Sequence, residues 1–232
     1  MLDADAAVIG PIDMDHMAWL GDTVEQIAQE KVGIIKPGCT AIIGRQPHES
    51  EVMPIIEQAA AENHATIIRD GYEAEVVSRM PAVGGQMVTL RMPNGTYADV
   101  PVDKFGEHQA HNALAALCAC EVVIPVSGAL DGDLVAEALS SVKIPGRIEQ
   151  VRSSPTIIID GGHNVNAAEA LRAAIDGYLR RERERLKKID GLFLTGEEFP
   201  RWFPVNEEDF EKKVRCLEQI LEEGGDRQMS QE

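Results

Sequence analysis

The features that would commit this chain to a membrane, a secretory route, a zinc site or a nucleic acid are missing. No run approaches the roughly 18 apolar residues of a membrane span; the best, Ala113 to Cys120, stops at Glu121. The amino-terminal MLDADAAVIGP lacks the basic region and apolar run of a secretory signal. Cysteine is scarce and carries no metal-ligand spacing. Cys39, Cys118, Cys120 and Cys216 form no CxxC, and Cys118 and Cys120 on one helix would point to different faces, so reduced, mostly buried thiols are expected. Positive charge is also short. Lys and Arg number 22 against 39 Asp and Glu, and the net charge of −17 argues against a nucleic-acid backbone or an anionic membrane as partner. No glycine is followed by lysine, so the phosphate-cradling loop G-x-x-x-x-GK-[ST] is absent. These absences leave a cytoplasmic protein.

What is present suits a packed core. The 232 residues, 44% of them hydrophobic, allow one large domain or two modest ones. Cys39 to Gly44 reads as a buried strand, Glu49 to Asn63 as a helix with Val52, Ile55, Ile56, Ala59 and Ala60 on one side, and Ala65 to Ile68 as a second strand. Such β-α-β order favours a parallel sheet covered by helices. Met87 to Arg91 and Thr96 to Val100 flank Pro93-Asn94-Gly95, which predicts an antiparallel ribbon attached to that sheet. Gly84-Gly85 marks a loop. Asp131 to Val142 reads as an amphipathic helix with Leu134, Val135, Ala138 and Leu139 inward.

The densest chemistry lies in Ile12 to Lys36, IDMDHMAWLGDTVEQIAQEKVGIIK. Asp13, Asp15 and His16 precede a turn at Gly21, and Asp22 or Thr23 can cap a helix whose Val24, Ile27 and Ala28 form an apolar stripe. Lys31 falls on its last turn. A loop and about three helical turns separate His16 from Lys31, enough for the chain to double back and place both at one polar site. Farther on, Phe105 to Val123 is an alanine-rich helix whose His108 and Asn112 share a face, with Gln109 beside it. Ile144 to Glu149, IPGRIE, breaks the preceding helix and reads as a hinge. Thr156 to Asp160 is a strand running into Gly161-Gly162-His163-Asn164 and then a helix with Ala167, Ala168, Leu171, Ala174 and Ile175 inward. A strand, a glycine turn and a helix start make a ligand-binding edge in open α/β sheets.

The run DH-x-x-x-LG-x-T-x-x-x-IA-x-EK-x-GI-x-K resembles the central-domain signature of folylpolyglutamate and dihydrofolate synthases, members of the Mur ligase superfamily. The resemblance implies that His16 binds Mg²⁺ and that Lys31 becomes a carbamate, giving the catalytic and metal roles of Lys31. The chemistry agrees, since Mg²⁺ prefers oxygen ligands and a carbamate supplies two on a long stem. For the G-x-HQ-x-x-NA motif at Gly106 to Ala113, the resemblance implies that Gln109 and Asn112 lie at the nucleotide, Asn112 near the adenine. By the same resemblance, Arg147 of PGR-x-E would touch the ATP phosphates, and Asp160 and His163, at the family's DGAHNP motif, would face the nucleotide, with His163 also catalytic. Here Gly162 stands for the usual alanine and Val165 for the usual proline.

The fold that follows from the resemblance is α/β. Residues 1–143 would be part of a Mur-ligase-type central ATPase domain, a mostly parallel sheet with helices and an antiparallel ribbon. Residues 144–232 would be a smaller Rossmann-like glutamate-ligase domain, shortened or diverged after about 176. The charged run Arg180 to Lys188 reads as a solvated helix face, Gly191 to Thr195 as a strand, Asn206 to Glu223 as a helix and Gly224 to Glu232 as a frayed tail. The implied activity is ATP-dependent joining of glutamate to folate, a step of folate biosynthesis and one-carbon metabolism, with ATP and Mg²⁺ as cofactors and folate and glutamate as substrates. Relatives carry the phosphate loop upstream, so the chain resembles the second half of such a ligase, inactive alone and served by an amino-terminal half that supplies the loop. Two alternatives stay open: a non-catalytic remnant or partner subunit, and a cell-wall amino-acid ligase of the same superfamily.

Overall fold

Short apolar runs alternate with helices to build a parallel sheet. In a computed structural model, residues 3–14, 20–82, 85–125, 127–153, 156–162, 167–177 and 179–180 are described. Strands β1 (Ala6–Ile9), β2 (Thr40–Ile43) and β3 (Thr66–Arg69) pair in parallel in that order, Ala7 opposite Ala41 and Ala41 opposite Ile67. Helix α1 (Val24–Lys31) links β1 to β2, and α2 (Glu49–Glu62) links β2 to β3. Successive residues of β2 face opposite ways. Ala41 and Ile43 pack with Ile27, Ala28, Val52 and Ile56 of the two helices, whereas Ile42 packs into the core on the other face.

That other face is covered by α3 (Glu107–Val123), which buries Ala110, Ala113, Leu114, Leu117 and Cys118. The same core takes Val88, Leu90 and Met92 from a separate antiparallel sheet of β4 (Glu75–Ala82), β5 (Gly85–Met92) and β6 (Gly95–Val102), order β4-β5-β6. The expected ribbon is therefore three strands, and they hydrogen-bond to one another and not to the parallel sheet. Gly85, expected in a loop, opens β5 opposite Ala82. An added Cβ there would lie 2.1 Å from the Val102 carbonyl oxygen, so glycine is what lets β5 and β6 approach.

Helix α4 (Gly132–Ser141) begins at Asp131, whose side chain accepts from the Asp133 and Leu134 amides. It buries Val135 and Leu139 but leaves Leu134 65% exposed, and Ala138 is exposed too, so its inward stripe is narrower than expected. Strand β7 (Glu149–Ser153) pairs antiparallel with β8 (Thr156–Ile159), and residues 167–177 form helix α5. On α5, Ala174 is buried, Ala167, Leu171 and Ile175 are half-buried, and Ala168 is exposed, contrary to its expected inward position. Met1–Arg180 forms one compact unit, and residues 181–232, with the elements expected there, lie outside the described residues. No helix among the described residues is long and apolar enough to cross a membrane. Cys39 and Cys118 are buried and free, and burial pushes the Cys118 thiol up to about 12.

Candidate functional site

The carboxyl ends of parallel strands are where an open α/β sheet receives ligands. After β1 the chain turns through Gly10 to Met14, and Gln46, beyond β2, stitches this turn in place. Its amide donates to the Gly10 and Gly44 carbonyls at 3.1 and 2.7 Å, and its oxygen accepts from the Ile12 amide at 2.9 Å. Asp13 Oδ1 accepts from the Met14 amide at 2.7 Å and lies 3.1 Å from His48 Nε2, so the Asp13 carboxylate is oriented from two sides. Thr23 caps α1 through the Gln26 amide, and the helix delivers a half-buried Lys31 on its last turn.

Helix α3 enters from Gly106, whose φ of +95° suits glycine. A Cβ here would stand 2.7 Å from the His108 ring, so glycine also lets that imidazole fold over the helix start. Gln109 is buried, and its oxygen accepts from the Asn112 amide group at 3.2 Å. The two amides are thus ordered together, leaving Asn112 exposed towards open space.

The segment Ile144 to Glu149 folds back on Asp160. Both Asp160 carboxylate oxygens accept backbone amides, Oδ2 from Ile148 at 2.9 Å and Oδ1 from Gly162 at 2.7 Å. The Gly161 amide closes the turn on the Gly146 carbonyl at 2.7 Å. Ile148 is buried at φ +48°, a left-handed conformation rare for a β-branched residue. That outlier sits beside Arg147.

These segments meet at one cleft of about 850 Å³, lined among others by Pro11, Asp13, Met14, Lys31, His108, Gln109, Asn112, Arg147, Ile148, Asp160 and residues of α5. Five site residues expected from the sequence, Lys31, Gln109, Asn112, Arg147 and Asp160, therefore share a cavity although they come from four separated stretches. His16 and His163 lie outside the described residues. The cleft also contains Asp13 and His108, to which the sequence assigned no role. Burial lowers the His108 pKa from the usual imidazole range, with Arg147 and His111 adding to the effect and the Asp160 carboxylate opposing it. His108 belongs to the same i, i+4 row as Asn112, the spacing that could have assigned it to the site.

Polar and charged groups gathered at the carboxyl edge of an α/β sheet are placed where such folds receive ligands, and the sequence identifies the family. Residues 1–120 match the Mur ligase middle domain, and the chain belongs to that family. Within it, the similarity runs to folate enzymes. The chain is 40% identical over 179 residues to the dihydrofolate synthase/folylpolyglutamate synthase of Mycobacterium tuberculosis, covering 74% of this chain and 36% of that protein. It is 32% identical over 167 residues to the Bacillus subtilis dihydrofolate synthase/folylpolyglutamate synthase, covering 71% of this chain and 38% of that one. The solved structure of Mycobacterium tuberculosis folylpolyglutamate synthase complexed with ADP superposes with a TM-score of 0.69 at 40% identity, over 75% of this chain and 39% of that one. The chain thus spans less than two fifths of the length of the two curated relatives named above.

Proposed function

We propose that this chain is the part of a folate-directed, ATP-dependent glutamate ligase that holds the base and the distal side of the nucleotide. One observation carries the reading: Lys31, Gln109, Asn112, Arg147 and Asp160 converge on a single cleft. The ADP complex of a 40%-identical structure supports a nucleotide as the occupant. In this reading the ordered Gln109–Asn112 pair offers donor and acceptor edges to the adenine. Arg147 neutralises phosphoryl oxygens through its guanidinium fork. His163 is the catalytic residue that the resemblance implies for the motif at Asp160. The reaction phosphorylates a folate carboxylate from ATP; the glutamate amine then attacks the acyl phosphate, an amide forms and phosphate leaves.

The folate branch is preferred to a cell-wall amino-acid ligase because the curated relatives named above are both folate enzymes. The domain division at 143/144 belongs to the same proposal, with the Arg147 hinge at the start of the second domain. So does a second polypeptide segment that supplies the phosphate loop, since no glycine of these 232 residues precedes a lysine.

Mg²⁺ is the ion this reading requires. Among the described residues no group of three or more His, Cys, Asp or Glu converges as a metal site, but Asp13 and Lys31 share the cleft. With Lys31 carbamylated, the carbamate and Asp13 would offer oxygen donors, as a hard cation prefers, and His16 is the further ligand that the resemblance implies. When bound, the ion would offset phosphoryl charge. Calorimetric titration with ADP tests the proposal. Saturable binding by the whole chain, weakened by Asn112→Ala and by Arg147→Ala, supports it; no saturable binding, or binding indifferent to both substitutions, rejects it.

A further inference from the structure

Helix α3 carries a second polar row that the proposed reaction does not use. His111 Nδ1 lies 2.6 Å from Asp70 Oδ2, and the pair is largely enclosed, with side chains 17% and 7% exposed. Asp70 follows the carboxyl end of β3, where its amide donates to the Ile43 carbonyl at 2.9 Å, so its position is set by the parallel sheet. The other imidazole nitrogen, Nε2, faces Glu107 at 3.8 Å. Glu107 in turn stands 3.7 Å from Arg45, in the loop after β2, and 3.8 Å from Arg79 of β4. One helix turn is therefore tied to both sheets.

The need for such ties follows from the apolar face of α3. At its first turns, where Asn112 sits, that face offers only the small Ala110 and Ala113 to the core, and the large Leu114 and Leu117 follow further along the helix. A smooth face resists rotation about the helix axis less than interlocking large side chains do. Yet the azimuth of the first turns decides where Asn112 points. The Glu107–His111 row and the His108–Asn112 row are neighbours on the helix surface, so fixing one fixes the other.

We infer that His111, clamped to Asp70, is a positioning residue that sets the rotation of α3 and so aims Gln109 and Asn112 at the base of the bound nucleotide. The inference rests on the nucleotide reading above. It predicts selective damage: loss of the clamp weakens ligands that offer a base and spares those that offer only phosphates.

The test uses the whole chain with ADP and, separately, inorganic tripolyphosphate, each measured calorimetrically, alongside thermal unfolding. His111→Ala should weaken ADP by about tenfold or more, the scale typical of losing an orienting partner, and leave tripolyphosphate unchanged. His111→Gln, which keeps a donor for Asp70, should recover most of the ADP affinity. Because His111→Ala strands a buried carboxylate and can unfold the chain, the double variant Asp70→Leu/His111→Leu removes both partners. It should fold and still bind ADP weakly. ADP binding that is normal in the double variant while Asn112→Ala weakens it overturns this inference alone. Equal weakening of ADP and tripolyphosphate also overturns it. Wild-type protein that binds no ADP removes the nucleotide reading and this inference with it.

Discussion

Asp160 Oδ2 accepts the backbone amide of Ile148 at 2.9 Å, so the same carboxylate that faces the cleft also locks the strained hinge beside Arg147. Its other oxygen holds Gly162 at 2.7 Å. An ionised carboxylate accepts both amides, whereas an asparagine has one oxygen and must turn its NH₂ towards the other amide. Asp160→Asn should therefore release one of the two amides, and Asp160→Ala both. Amide hydrogen exchange followed by NMR checks this. Unchanged protection at Ile148 and Gly162 in Asp160→Ala would show that the turn is held elsewhere.

How much of this was legible beforehand depended on whether a residue's job is local. The parallel core was readable because Thr40–Ile43 is a buried apolar run and α2 keeps helical periodicity. Strand β1 was not, because four residues ending at Gly10-Pro11 carry too little pattern. Strand β4 hid for a different reason: as an edge strand it exposes Val77 and Met80 and contains Pro81, which breaks the alternation that marks a half-buried strand. The site residues were legible as motifs, each a side chain whose chemistry fits a nucleotide. The Asp160–Ile148 lock and the His111–Asp70 clamp were not, since each joins positions far apart in sequence that only the folded chain brings together.

Gly162 offers a second test of the hinge. An added Cβ would stand 2.8 Å from Asp160 Oδ1 and 2.8 Å from the Ala167 Cβ. Gly162→Ala must therefore move the carboxylate or the start of α5. It should destabilise the chain by about 1 kcal/mol and disturb the Gly162 amide resonance. A stabilised protein with an unshifted Asp160 carboxyl signal would count against this packing.

The lowered pKa of His108 sets the sign of a pH effect. Burial, its main cause, favours the neutral imidazole in the folded chain. Stability from this group is then complete above the ordinary imidazole range of about 6.5 and is lost as the pH falls through the lower folded value, because the unfolded chain takes up the proton first. His108→Gln should flatten that part of the acid limb in urea unfolding measured from neutral to mildly acidic pH. An unaltered slope would mean that His108 is hydrated in the folded chain.

Turnover is the next expectation. With no glycine–lysine pair to cradle the transferring phosphoryl group, the 232-residue chain should bind nucleotide without forming product. The assay is ADP release dependent on both folate and glutamate. Steady release from the pure chain would show that the phosphate loop is dispensable. Activity that appears only when a segment carrying the loop is added would support the divided ligase.

Lys31 separates a built site from an ordinary helix end most cleanly. It sits half-buried on the last turn of α1, where a cation gains only tenths of a kcal/mol to about 1 kcal/mol from the helix dipole, and its side chain lines the cleft shared with Asp13. Lys31→Ala should thus cost little stability. Addition of carbon dioxide to the Lys31 amine, with loss of its protons, gives a carbamate and replaces a positive charge with a negative one beside Asp13. Carbon-13 NMR on protein equilibrated with labelled bicarbonate should show a carbamate signal in the wild type that is absent from Lys31→Ala. In a complex restored with the loop-bearing segment, the same substitution should abolish most turnover, and short carboxylates should recover part of it by standing in for the carbamate. A restored enzyme with no Lys31-dependent carbamate signal and full activity in Lys31→Ala would reduce Lys31 to a helix-terminal charge, leaving Asn112, Arg147 and Asp160 to define the site without it.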